Sequence, residues 1–300
     1  MTDAPWRVAL IGPGRAGTAV ALGLQRARHR VVAVAGGSPS AQVSLGKMIA
    51  GLRAVTSPAD AAQEANLIVI ATPDRAIADI ATELAAAGAL GPDHHVIHLA
   101  GSLGLGALER VARAGARIAA VHPAQTIPRG ADAASLIGAA WAVTAAPGDL
   151  GWAHDLVIDL GGDPHDVADD RRVHYHAALT VGSNAVAAAT SVARQLLLAA
   201  GIDQPTRFLQ GLGHRSIDNV LAGGAAAITG PIARGDVATV AAHLATLDLD
   251  APPLADAYRH LGRAVLAQVR PSLRPGVADQ LLRALADDMP SELSHDPKGT

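Results

Sequence analysis

Residues 8–21 read VALIGPGRAGTAVA, and this stretch decides the fold. An apolar run preceded by Trp6-Arg7 enters Gly12-x-Gly14-x-x-Gly17, and the chain then continues as ALGLQRA, a helix-forming segment. In a strand–turn–helix unit each glycine has its own steric task. Gly12 permits the tight turn, Gly14 lets backbone N–H groups approach a pyrophosphate, and Gly17 lets the helix pack on the strand. The helix start adds unpaired N–H donors and a partial positive charge facing the phosphates. Gly12, Pro13, Gly14, Arg15, Ala16 and Gly17 are therefore expected to contact a dinucleotide.

Working outward, short β-branched runs alternate with alanine-rich helical segments through the first half. Strands are predicted over 7–11, 31–35, 67–71, 96–100, 118–121 and 141–144, with a weak edge strand at 53–55. Continuously apolar strands between helices point to an α/β fold, a doubly wound and mostly parallel sheet. Each strand is followed by a punctuating motif: Gly36-Gly37-Ser38, Thr72-Pro73-Asp74, Gly101-Ser102 and His122-Pro123. Ligands bind beyond the carboxyl ends of such strands, so Thr72, Pro73, Gly101, Ser102 and His122 join the expected cofactor rim.

After Gly161-Gly162 the strand pattern stops. One long helix is predicted over about 169–200, with further helices near 206–221, 236–247, 253–268 and 277–287. The expected domains are a dinucleotide-binding domain at 1–165, an all-helical substrate and dimerisation domain at 166–288, and a disordered polar tail at 289–300. With 300 residues, half of them apolar but only three Trp, two Tyr and one Phe, the cores must be built from Ala, Val, Leu and Ile.

The absence of cysteine excludes disulfides, thiolate metal sites and a cysteine nucleophile. A net charge of −3 without a basic stripe argues against nucleic acid. No leader-like basic segment precedes the first strand and no long uninterrupted apolar stretch occurs, so a cytoplasmic protein without membrane contact is expected. No metal site is expected either. His174 and His176 are two apart and diverge on a helix, while His94, His95 and His98 have no carboxylate in the same helical or strand face.

The second strand ends in Ala35-Gly36-Gly37-Ser38-Pro39-Ser40, where an NAD-type site carries Asp or Glu. With no carboxylate to repel a 2′-phosphate, and with Gly37, Ser38 and Ser40 offering donors, NADP(H) is expected in preference to NAD(H). Arg15 could lean across. Ser38-Pro39 also reads as the N-cap of the next helix, and both readings can hold.

On the long helix, Arg172, His176, Thr180 and Ser183/Asn184 fall on one stripe by helical spacing. Such a polar stripe needs buried partners, as satisfied core groups, or a cleft facing the nicotinamide. Further on, Ile228-Thr229-Gly230-Pro231-Ile232-Ala233-Arg234-Gly235-Asp236 makes a tight loop with Asp236 as N-cap. Arg234 and the amides near Gly235 are either a substrate carboxylate site or a plain connector with a surface arginine.

The glycine loop, His122-Pro123, Tyr175-His176-Ala177-Ala178 with Asn184, and the TGPIARGD run together resemble a family of bacterial two-domain proteins. Its members join an N-terminal NADP-binding Rossmann-like domain to a C-terminal helical domain of unknown function, within the 6-phosphogluconate dehydrogenase-like superfamily. The resemblance covers nearly the whole chain and implies an oxidoreductase acting on a small molecule, with some members implicated as alternative ketopantoate reductases. It also implies a homodimer formed through the helical domain. Many enzymes of the wider superfamily use a helical lysine beside the carbonyl, but here the only lysines are Lys47 and Lys298. Arg172, which precedes the Tyr175-His176 pair, stays protonated and makes a poor acid. Histidine titrates near neutrality, so His176 is the expected proton donor, with Asn184 orienting the carbonyl, Tyr175 and Arg172 in support, and His122 as the alternative donor. An imine reductase similar to pyrroline-5-carboxylate reductase and a non-catalytic NADP-binding sensor are the alternatives.

Overall fold

The computed structural model describes residues 5–286, apart from 89, 129 and 131. The predicted tail lies outside the described residues. The chain divides into two compact units between Ser183 and Asn184.

The first unit is built on one eight-stranded sheet. Its elements are β1 (Arg7–Ile11), α1 (Arg15–Arg26), β2 (Arg30–Ala35), α2 (Pro39–Met48), β3 (Arg53–Ala54), α3 (Pro58–Ala62), β4 (Leu67–Ile70), α4 (Asp74–Ala86), β5 (His95–His98), α5 (Glu109–Arg113), β6 (Arg117–Pro123), β7 (Ala140–Ala145), α6 (Leu150–Asp159), β8 (Asp163–Asp166) and α7 (Arg172–Thr180). The strand order is β3-β2-β1-β4-β5-β6-β7-β8. Both sheet faces are covered, because side chains alternate: Val8 and Leu10 join one apolar cluster, while Ala9 and Ile11 join the other. Leu67 and Val69 divide from Ile68 and Ile70 in the same way. This is the doubly wound arrangement expected from strands that are apolar on both faces.

All pairings are parallel except β6 with β7, where Ala119 faces Ala145 and Pro123 faces Trp141. Among the described residues, the segment between these strands contains only a 3-10 turn at Ala133–Leu136, not the crossover helix that a parallel return requires. Helix α6 then provides a crossover to β8, which pairs parallel with β7. Strand β8 is absent from the sequence expectation. Its sequence, Asp163-Pro164-His165-Asp166, has no apolar alternation, and it forms because an edge strand tolerates both proline and polar side chains.

The predicted single helix over 169–200 is broken into pieces. A 3-10 turn at Asp169–Arg171 leads into α7, a π-helical turn spans Val181–Ala185, and α8 (Val186–Ala199) follows. A π turn inserts an extra residue and rotates everything after it. The four-residue stripe therefore holds through Arg172, His176 and Thr180 but does not extend by α-helical spacing to Asn184.

The second unit contains α8, α9 (Pro205–Gly223), α10 (Pro231–Arg234), α11 (Val237–Asp250), α12 (Pro252–Val269) and α13 (Val277–Ala284). Its core gathers Ile232, Val240, Leu244, Leu266, Val269 and Leu281. On α12 the buried positions are Ala255, Arg259, Gly262, Leu266 and Val269, alternately four and three apart, so one stripe faces inward. Gly262 allows close packing, since a Cβ there would stand 2.7 Å from Leu285 Cδ2. Among the described residues no helix is long and apolar enough to cross a membrane.

Candidate functional site

Strands β1, β2, β4, β5 and β6 run parallel, so the loops that follow them share one rim of the sheet. The glycine loop stands at its centre. Gly12 adopts φ +96°, and its N–H donates to the Ala35 carbonyl at 2.9 Å. A Cβ on Gly12 would approach the Ala71 carbonyl to 2.8 Å, and one on Gly17 would stand 2.3 Å from the Gly12 carbonyl. Both glycines are thus required by the chain's own packing.

Gly14 is different. Its φ of −78° is open to any residue, and a Cβ there would meet nothing within 4 Å. Nothing in the protein explains a glycine at the start of α1, whereas the close approach of a phosphate to that helix end does. Next to this loop, Thr72 Oγ1 is buried without a hydrogen-bond partner, and Thr72 Cγ2 lies 2.9 Å from the position of a Gly12 Cβ. An orphaned hydroxyl beside an unfilled glycine cradle fits a dinucleotide. Ala16 packs half-buried on the sheet core, Arg15 is exposed on the first turn of α1, and Pro13 fits against Gly37, where a Cβ would stand 2.9 Å from Pro13 Cδ. Ser38 caps α2, accepting from the Ala41 N–H at 3.2 Å, and its hydroxyl bonds that of Ser40 at 3.0 Å. No carboxylate stands at the end of β2.

Further along the rim the structure places His122, Tyr175 and His176 together. Tyr175 OH lies 2.9 Å from His122 Nδ1, and the His122 and His176 rings meet edge-to-face with centroids 5.8 Å apart. Gly101, at the end of β5, makes room for both rings. A Cβ there would stand 2.3 Å from His176 Cδ2 and 3.1 Å from His122 Nε2. Gly101 therefore has a packing reason beyond the cofactor contact expected of it. Burial, then the neighbouring His176 and Arg172, pushes the His122 imidazole down to about 4, so it is neutral at physiological pH. Burial also holds the Tyr175 phenol above its ordinary value.

Arg172, expected in a supporting role, is fully buried, with Nη1 donating to Thr144 Oγ1 at 2.9 Å and Nη2 to the Ala100 carbonyl at 2.7 Å. It braces α7 against strands β5 to β7. His98 is likewise structural, bonded to the Gly104 carbonyl at 3.1 Å and to the Ala100 N–H at 3.2 Å. Sequence reasoning missed two rim contacts. Ser102 Oγ donates to Asp74 Oδ2 at 3.2 Å, and Asp169 accepts from the Leu105 N–H at 2.7 Å. These pairs are far apart in sequence and leave no spacing signal, although Asp74 already stood in a punctuating motif.

In the second unit, Asn184 lies in the π turn. Arg234 ends the single helical turn of α10 and is exposed, between Gly230 at φ +102° and Gly235 at φ +72°. Asp236 caps α11 as expected, accepting from the Thr239 N–H at 3.0 Å. The amides of Gly235, Asp236 and Val237 are all spent within the turn, on Ile232, Pro231 and Gly235 carbonyls. The expected carboxylate site therefore loses its backbone donors, and only the Arg234 guanidinium remains for that role.

Two family models match the chain: a Rossmann-like domain at residues 1–123, and the Domain of unknown function (DUF2520) at residues 139–265. No curated protein matches. Among solved structures, BF3122 of Bacteroides fragilis, named for an inferred NADP oxidoreductase activity, is similar with a TM-score of 0.73 at 21% identity, over 87% of this chain and 98% of its own. An imine reductase from a Pseudomonas species is similar with a TM-score of 0.65 at 19% identity, over 94% of this chain and 100% of its own. The Plasmodium falciparum pyrroline carboxylate reductase, solved with NADP bound, gives 0.58 at 14% identity, over 94% and 98%. At these identities the likeness is one of fold. The chain thus carries, in order, a stretch that matches the Rossmann-like domain and a stretch that matches the DUF2520 domain.

Proposed function

We propose that this protein is an NADP(H)-dependent oxidoreductase that reduces a small, carboxylate-bearing carbonyl compound of the ketopantoate kind. The observation that carries the reading is the rim itself, where a glycine loop open at Gly14 and an imidazole pair at His122 and His176 follow parallel strands of one sheet. Bound NADPH would supply the hydride. Gly12, Gly14 and the start of α1 would hold its pyrophosphate, and the buried Thr72 hydroxyl would be available to bond the dinucleotide. The carboxylate-free end of β2, with Ser38, Ser40 and exposed Arg15, favours a 2′-phosphate over a free ribose hydroxyl. His176 gives its proton to the oxygen as the carbon accepts hydride, and solvent restores it afterwards. His122, pushed down to about 4 by burial, is uncharged at neutral pH and is not the acid there. Asn184 and Arg234, in the second unit, remain the residues expected to orient the carbonyl and to bind the carboxylate.

The likeness to an imine reductase and a pyrroline carboxylate reductase favours a second substrate class, a C=N compound, with the same residues in the same roles. A homodimer is proposed as well. Helices α8 and α9 carry exposed Val186, Leu198, Phe208, Leu212 and Leu221, large apolar side chains of the kind that pairing of two copies would cover. Light scattering that gives a monomer mass would refute it.

The deciding experiment follows NADPH oxidation across 2-keto acids, led by ketopantoate, and cyclic imines. His176→Ala should lower turnover about 10²–10⁴-fold. Unchanged turnover removes His176 as donor. Tight NADPH binding with no oxidation by any substrate favours a cofactor sensor instead.

A further inference from the structure

Helix α7 sets two consecutive side chains, Tyr175 and His176, against one imidazole on β6. The Tyr175 hydroxyl has two contacts with His122, 2.9 Å to the ring Nδ1 and 3.5 Å to the backbone carbonyl. The second is at the limit of hydrogen bonding, so the phenol proton goes to Nδ1. A ring whose Nδ1 accepts, and which is uncharged, must carry its proton on Nε2. That nitrogen is turned toward the missing Gly101 side chain, 3.1 Å from where a Cβ would stand, and no group among the described residues accepts from it.

We propose that Tyr175 is a positioning residue that locks His122 as the Nε2–H tautomer and so presents a neutral hydrogen-bond donor at the rim, beside the proton-transferring His176. The substrate end of this inference rests on the oxidoreductase reading. A neutral N–H aimed at the oxygen or nitrogen that gathers charge lowers the barrier without itself giving up a proton. The two imidazoles then divide the work, as titratable neighbours do when their surroundings push them apart. Burial first, and then the neighbouring His176, Arg172 and His98, oppose protonation of His122. Asp74 alone favours it, and the Tyr175 phenol stays neutral.

The test uses full-length protein labelled with ¹⁵N-histidine and read by long-range ¹H–¹⁵N correlation, which reports the tautomer of each ring without any substrate. The His122 signals are assigned by their loss in His122→Gln. Wild type should show protonated Nε2 and bare Nδ1 at pH 7 and still at pH 5. Tyr175→Phe, which removes one oxygen, should show a mixture of both tautomers. An Nδ1–H tautomer or an imidazolium in wild type, or an unchanged spectrum in Tyr175→Phe, overturns the lock.

A kinetic arm tests the donor role separately. His122→Gln keeps an N–H donor and should retain more turnover than His122→Phe, which should lose about 10²–10³-fold. Equal loss in the two variants overturns the donor role. A shifted tautomer in Tyr175→Phe alongside a protein that oxidises NADPH with no substrate supports the lock and refutes the oxidoreductase reading.

Discussion

Gly101→Ala tests whether the imidazole pair is packed as described. The backbone at 101 is not left-handed, so alanine brings no conformational strain, and the whole effect comes from one added carbon. That carbon would stand 2.3 Å from His176 Cδ2 and 3.1 Å from His176 Cγ and His122 Nε2. Ordinary carbon contact begins near 3.4 Å, so the His176 ring must move by about 1 Å. Overpacking of this size costs about 1–3 kcal/mol. The readout is urea unfolding of four proteins: wild type, Gly101→Ala, His176→Ala and the double variant. Removing the His176 ring removes the shortest contact and leaves only His122 Nε2, which needs to give by a few tenths of an ångström. The added carbon should therefore cost much less in the His176→Ala background, with a coupling of about 1–2 kcal/mol. If the two substitutions add within about 0.5 kcal/mol, the rings do not converge on Gly101 and the site has been built wrongly.

Gly14→Ala should fold within about 1 kcal/mol of wild type, the scale of an N-cap change, yet weaken NADPH binding at least tenfold by fluorescence titration, whereas Gly17→Ala should fail to fold stably because its Cβ meets the Gly12 carbonyl at 2.3 Å. Arg172→Met should destabilise by about 1–3 kcal/mol for each acceptor it orphans, and Arg172→Lys should not restore stability, since one ammonium cannot span Thr144 Oγ1 and the Ala100 carbonyl as the guanidinium fork does; chemical denaturation checks both. His98 titrates at about 4 in the folded protein against 6.5 as a free side chain, because burial disfavours its charge. The unfolded chain then binds the extra proton between those values, so His98 stabilises fully above pH 6.5 and loses that contribution, roughly 3 kcal/mol in all, as pH falls toward 4. Urea midpoints at pH 7 and 5 should differ in that direction, and His98→Gln should flatten the slope.

The glycine loop and the apolar strand runs were legible because their information is local. A turn at positive φ, a helix packed at backbone distance and a strand buried on both faces each restrict residue type at fixed spacing. The N-caps at Ser38 and Asp236 were legible for the same reason, a side chain bonding an amide three residues on. Strand β8 was not, because an edge position relaxes the apolar requirement that makes strands visible. The helical stripe was half right: His176 keeps its place, while Arg172 turns inward to the sheet and the π turn carries Asn184 out of phase. Helical spacing sets which residues share a face but not what that face meets.

Sequence alone determined the doubly wound sheet, the dinucleotide loop and the absence of an acid at the end of β2, since these depend on neighbours within a few residues. Only the tertiary structure decided that His122 is held neutral and that its Nδ1 meets the Tyr175 hydroxyl. Those properties arise where β5, β6 and α7, some twenty to seventy-five residues apart, bring Gly101, His122, Arg172, Tyr175 and His176 into one desolvated cluster. Burial and the fields of neighbouring charges shift protonation there, and neither is written in the order of residues along the chain.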